Sequence, residues 1–243
     1  MSLDQLLCET YRLANPEKQK VFIRFFKTGP GQYGEGDQFL GLTVPQQRIL
    51  AKKYQHLPLP EIETLLTNPI HELRLTALMI LTYHFQNKNV DKKTIVDFYL
   101  KHTQWINNWD LVDLSAYKIL GEYLRTHDTK ASILYRLANS PLLWERRIAI
   151  VSTFAFIRHH HLTHTFALSK LLLYDTHDLI HKAVGWMLRE AGKKDATQLR
   201  QFLNTYAAVM PRTMLRYSVE KFSDSARKHY LSLRSKIIPA QRK

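Results

Sequence analysis

The sequence predicts an all-α chain whose helices pair and stack into a right-handed-type α-solenoid. Three observations predict it. Chain breakers are concentrated: five of the eight glycines fall between Gly29 and Gly41, and the rest of the chain has only Gly121, Gly185 and Gly192. Strand signals are poor, with no Asn-Gly or Asp-Gly turn between alternating apolar runs. Amphipathic helix openings then recur at a nearly constant interval along most of the chain.

The elements follow in order. Asn15-Pro16 reads as an N-cap followed by a first-turn proline, and Val44-Pro45 opens a second helix after the glycine-rich loop. Ser140-Pro141 and Met210-Pro211 carry the same signal later. Five openings compare directly: HELRLTAL from His71, NWDLVDLSAY from Asn108, LWERRIAI from Leu143, HDLIHKAVGW from His177 and PRTMLRYSV from Pro211. Their equivalent polar positions are Arg74, Asp113, Arg147, Lys182 and Arg216, spaced by 39, 34, 35 and 34 residues. That is the period of a HEAT-like two-helix repeat. About twelve to fourteen helices of ordinary length are expected. The expected organisation is one domain over 1–243: N-terminal helices and the glycine-rich loop (1–57), repeats (58–222), and a basic C-terminal helix and tail (223–243).

Composition narrows the function. Thirty-five Lys and Arg against twenty-one Asp and Glu leave a formal charge of +14, and 45% hydrophobic residues suit a globular core. Residues 193–243 hold twelve basic and three acidic side chains, a local excess of +9. A polyanion is the natural partner of such charge. No apolar run is long enough for a membrane span, and Met1–Glu9 has no secretory pattern, so no membrane role and a cytoplasmic location are expected. A single cysteine, Cys8, excludes an intrachain disulfide and is expected as a small buried residue. The His159–His161 run with His164, and the His177/His181 pair, lack the companions of a zinc site, so neither a metal nor a cofactor is expected.

Stacked repeats align equivalent positions on one surface, so the basic rungs Arg74, Lys182 and Arg216, with Arg147, outline a concave basic groove for phosphates. Asp113 is the one acidic rung. It lies four residues after Trp109, on the same helical face, and Trp105 is expected one turn earlier on that side. A carboxylate beside indoles in a basic groove would hold a cation or an electron-poor planar base. Spacing alone leaves a second reading open, with Trp109 in the core and Asp113 paired to Arg147. Gly185 beside Trp186 marks a close backbone approach, by a neighbouring helix or a ligand.

These residues carry a resemblance. NNWDLVD at 107–113, LWERRIAI at 143–150 and KAVGWMLRE at 182–190, in order between FFKTGPGQYGEGDQFLGLTVPQQR and MPRTMLRYSVEKF, resemble the AlkD-like family of DNA alkylation repair proteins. The resemblance implies hydrolysis of the N-glycosidic bond of N3- or N7-alkylated purines in duplex DNA, by a monomer without an obligate protein partner. It implies Asp113 as the catalytic carboxylate, Trp109 and Trp186 as aromatic walls, and Arg147 as the phosphate-side arginine. Thr43 and Arg48 match a DNA-contacting segment, and Arg189 and Lys193 would face the backbone. Phe25, Phe26 and Tyr33 are equal candidates for a further N-terminal aromatic contact. The alternative on the same architecture is a non-catalytic DNA-binding or protein-scaffold module.

Overall fold

The computed structural model describes residues 1–233, and among them the regular elements are helices; one isolated bridge joins Gln38 to Ile70. They form two compact units, Met1–Tyr123 and Leu124 onward, a division inside the 58–222 run of repeats. The tail beyond residue 233 lies outside the described residues.

The first unit contains α1 (Leu3–Arg12), α2 (Pro16–Phe25), α3 (Val44–Lys53), α4 (Leu59–Leu66), α5 (His71–Gln86), α6 (Lys92–Lys101) and α7 (Trp109–Ser115). At its centre α5 packs on α3, α4, α6 and α7, and every residue from His71 to Thr82 is buried. The apolar part of that stretch drives the packing, at roughly 1.5–3 kcal/mol for each fully buried large aliphatic side chain. A π-helical turn, Tyr117–Gly121, follows α7, and α8 (Glu122–Thr126) spans the unit boundary.

The second unit contains α9 (Ser132–Ala138), α10 (Leu143–Arg158), α11 (Thr163–Leu171), α12 (Asp178–Lys194), α13 (Ala196–Tyr206), α14 (Arg212–Ser218) and α15 (Asp224–Ser232). Here α10, α12 and α14 pack in succession, while α9 and α11 lie against α10 and α13 against α12. This is the stacked helix-pair arrangement that the 34- and 35-residue spacings predict.

Local chemistry sets the helix starts. Asn15 accepts from the Lys18 amide at 3.0 Å with Pro16 in the first turn, and Thr43 and Gln46 form a capping box on α3. The five aligned openings all begin helices within one residue of the expected position. Ser140-Pro141 does not: Ser140 Oγ takes the Leu142 amide at 3.1 Å in a turn, and α10 starts at Leu143. Cys8 is exposed rather than buried, because the core face of α1 is set by Leu6 and Thr10. A Cβ on Gly185 would stand 2.6 Å from Met214 O and 2.5 Å from Tyr217 Cβ, so this glycine serves the crossing of α12 and α14.

Candidate functional site

In the first unit the site is built on α7. Asn108 precedes it and takes the Trp109 amide on its own Oδ1 at 2.8 Å. Trp109 lies nearly parallel to Phe26, centroids 5.5 Å apart, and meets Phe25 edge-on at 5.8 Å. Phe26 is buried, whereas Phe25 is 57% exposed. The geometry therefore separates two aromatic candidates that the sequence left equal: Phe26 backs the indole, and Phe25 stands beside it at the surface. Asp113 is half-buried one turn beyond Trp109, on the same helical face. After burial, the Asp113 charge is a cause that pushes the Tyr99 hydroxyl above its ordinary pKa. Trp105 ends a separate 3₁₀ turn, Thr103–Trp105, so the expected continuation of the α7 face back to it does not form.

Beneath α7 lies a buried polar cluster. Asp37, from the glycine-rich loop, accepts from His71 Nδ1 at 3.0 Å, Arg74 Nη2 at 2.6 Å, Asn107 Nδ2 at 3.2 Å and Asn108 Nδ2 at 3.4 Å. His71 Nε2 reaches Asp110 Oδ2 at 2.8 Å. Burial alone would lower the His71 pKa, but the charge of Asp110 and the hydrogen bonds that His71 donates to Asp110 and Asp37 raise it to about 9. Burial would raise Asp37; His71 and Arg74 outweigh it and hold the carboxyl below its ordinary value. Glu72 accepts from the amides of Leu40, Gly41 and Leu42 at 2.8–3.2 Å, tying the same loop to α5. Gly41 has φ +87, and a Cβ there would meet Asn15 O at 2.2 Å. Above the cluster, Phe25, Phe26, Phe39, His71, Trp109 and Asp110 are among the walls of a cavity of about 270 Å³.

The expected DNA-contacting positions of this unit separate. Thr43 caps α3 and its hydroxyl donates to Gln46 Oε1 at 2.7 Å, while Arg48 is exposed on the same helix. Arg74 is not on the surface: it is 2% exposed and committed to Asp37 and to Asn68 O. Position along the helix does not decide this, since Arg147 is buried and Arg216 exposed at equivalent rungs; the buried Asp37 carboxylate draws the Arg74 guanidinium inward. An open groove on α2, lined by Lys20, Val21, Arg24, Phe25 and Lys27, was not anticipated, although its cations recur at helical spacing.

In the second unit, Arg147 is buried and donates from Nη1 to Leu179 O at 2.6 Å, at the start of α12. Along α12, Lys182, Trp186, Arg189 and Lys193 follow at intervals of four, three and four, and share one face. Trp186 is half-buried, 6.0 Å from Phe154. Lys182 pairs with Asp178, Arg189 with Glu190 and Glu220, and Lys193 with Glu190. Arg216 is exposed on α14. His177 caps α12 and His181 bonds to Asp175 O. Among the described residues no three His, Cys, Asp or Glu side chains are grouped to hold a metal ion, and no helix is long and apolar enough to cross a membrane.

Comparison with known proteins gives a consistent result. A family model described as DNA alkylation repair enzyme matches residues 9–222. The fold is similar to a solved structure described as a predicted DNA alkylation repair enzyme from Enterococcus faecalis, with TM-score 0.70, 18% identity, and coverage of 87% of this chain and 97% of that one. It is also similar to AlkD2 from Streptococcus mutans, with TM-score 0.52, 16% identity, and coverage of 98% and 100%. No curated protein is matched.

Proposed function

The chain belongs to the DNA alkylation repair enzyme family, and from that premise we propose that it is a monofunctional DNA glycosylase acting on N3- or N7-alkylated purines in duplex DNA. The observation that carries the reading is the α7 pair. Trp109 stands half-exposed against Phe25 and Phe26, and Asp113 follows one turn later on the same face.

The chemistry needs little more. Alkylation at N3 or N7 gives the purine a positive charge, so it leaves with the electron pair of the C1′–N bond and becomes neutral. General acid catalysis and a cofactor are then unnecessary. The sugar develops oxocarbenium character as the bond breaks, and ionised Asp113 stabilises that charge and orients the attacking water. Water adds its oxygen to C1′, its proton passes to the carboxylate or to solvent, and an abasic site remains. Trp109 offers an indole face to the developing cation, and Trp186 is the second proposed aromatic wall. Arg147 is the proposed phosphate-side arginine.

Arg48, with Thr43 capping its helix, and the Lys182, Arg189, Lys193 and Arg216 positions are proposed to follow the DNA backbone, giving affinity without reading sequence. Arg74 is left out of that set because its guanidinium is ion-paired with the buried Asp37 carboxylate. Incubation with a duplex carrying a single N7-methylguanine tests the reading. Strand breaks on subsequent alkali treatment, dependent on the protein and above the non-enzymatic background, are expected. A duplex that is bound but never depurinated would favour the non-catalytic alternative.

A further inference from the structure

The Asp37–His71–Asp110 chain lies behind the residues assigned to chemistry and touches no proposed substrate group. Three of its connections nevertheless converge on the start of α7. Asp37 holds Asn107 and Asn108, the two residues before the helix, and His71 holds Asp110 in its first turn. With seven residues, α7 is too short to be stable alone, so its placement depends on such anchors. Asp110 Oδ1 is buried with no hydrogen-bond partner among the described residues, which leaves the His71 contact to hold that carboxylate.

We propose that His71, fixed by Asp37, is a positioning residue: as an imidazolium it donates to Asp37 and Asp110 at once, and so sets the first turn of α7, with Trp109, for excision. The proposal rests on the glycosylase reading for its effect on rate, but its structural part stands on the geometry. A neutral imidazole has one N–H and can serve only one of the two carboxylates as donor. Loss of the proton therefore releases one link of the chain and leaves the buried Asp37 and the partly buried Asp110 carboxylates less neutralised.

The charged and titratable groups around His71 are Asp37 from the loop, Glu72 and Arg74 on its own helix, and Asp110 on α7. From α2 and α3, the neighbouring walls are Phe22, Phe25, Val44 and Gln47, and Phe26 follows α2; none of these titrates. Asp110 is the largest cause raising the His71 pKa, which places the deprotonation at about 9.

Two variants and one titration test this. In wild type, single-turnover excision, corrected for non-enzymatic loss, is expected to fall as pH rises through about 9. Asp110→Asn keeps the Asp37 contact but removes the charge, and its alkaline limb is expected at least about one unit lower. His71→Gln is expected to excise about 10- to 100-fold more slowly at neutral pH, with duplex affinity within about twofold of wild type. A merely structural role would leave the position of the alkaline limb unchanged in Asp110→Asn, and that result would overturn the proposal. If the variants do not fold, the wild-type protein still decides. The Trp109 indole N–H resonance, assigned with Trp109→Phe, should shift with a midpoint near pH 9; a resonance that stays fixed between about pH 8 and 10 overturns the inference. Should wild type release no base at any pH, the glycosylase reading fails, and the indole titration still tests the positioning chain.

Discussion

Phe26 lies against Trp109 with 19° between the ring planes and 5.5 Å between centroids, so the indole is backed by a buried ring. Such aromatic pairs contribute about 0.5–1.5 kcal/mol beyond simple burial. Phe26→Leu should therefore cost about 1 kcal/mol, and Phe26→Ala about 3–5 kcal/mol, in urea unfolding. Phe25→Ala, at an exposed position, should change stability by less than about 1 kcal/mol. Equal losses at the two positions would show that Phe26 does not back Trp109 as described.

Arg74 and Arg216 occupy corresponding rungs but different environments, and should behave oppositely. Arg74→Met strips Asp37 of a buried cation and should destabilise by about 3–5 kcal/mol, without altering the salt dependence of duplex binding. Arg216→Ala should leave stability within about 0.5 kcal/mol, and make the log–log salt slope shallower by about 0.9. Fluorescence titrations at several salt concentrations measure the slope. An unchanged slope in Arg216→Ala would remove it from the DNA-facing set.

Gly185 sits inside α12, where alanine would be favoured by about 1 kcal/mol on propensity alone. The missing Cβ, however, leaves room for Met214 O and Tyr217. Gly185→Ala should therefore lower stability by about 1–3 kcal/mol, since α12 and α14 must part. A stabilised variant would contradict the close crossing.

Stability should depend on pH at both ends. The His71 pKa is raised to about 9 in the folded chain. Its contribution is thus complete below the ordinary histidine value of about 6.5 and is lost as pH rises through about 9. Asp37 is lowered, so its contribution is present above the ordinary aspartate value of about 3.9 and is lost as pH falls through its folded value. Urea midpoints across pH should decline on both flanks, and His71→Gln should flatten the alkaline one. A wild-type curve that stays level from about pH 7 to 10 would exclude the imidazolium bridge.

Much of this was legible in the sequence because helix signals are local. Asn15-Pro16, Val44-Pro45 and the aligned openings each need only a few neighbouring residues, and they mark helix starts as read. The Trp109–Asp113 spacing likewise needed only a helix to place both on one face. The Asp37 cluster was not legible, since its members lie 34 to 71 positions away along the chain. One signal was available. His71, Glu72 and Arg74 open a stretch that is otherwise apolar around most of the helix, and charges at the start of a buried helix require buried partners.

The central claim is that Asp113 supports cleavage of the glycosidic bond. The most direct measurement is single-turnover release of methylated purine from duplex DNA by wild type and Asp113→Asn, with duplex affinity measured on the same samples. The account predicts excision reduced by about 100-fold or more, with affinity within a few-fold of wild type. Excision at the wild-type rate by Asp113→Asn would contradict it.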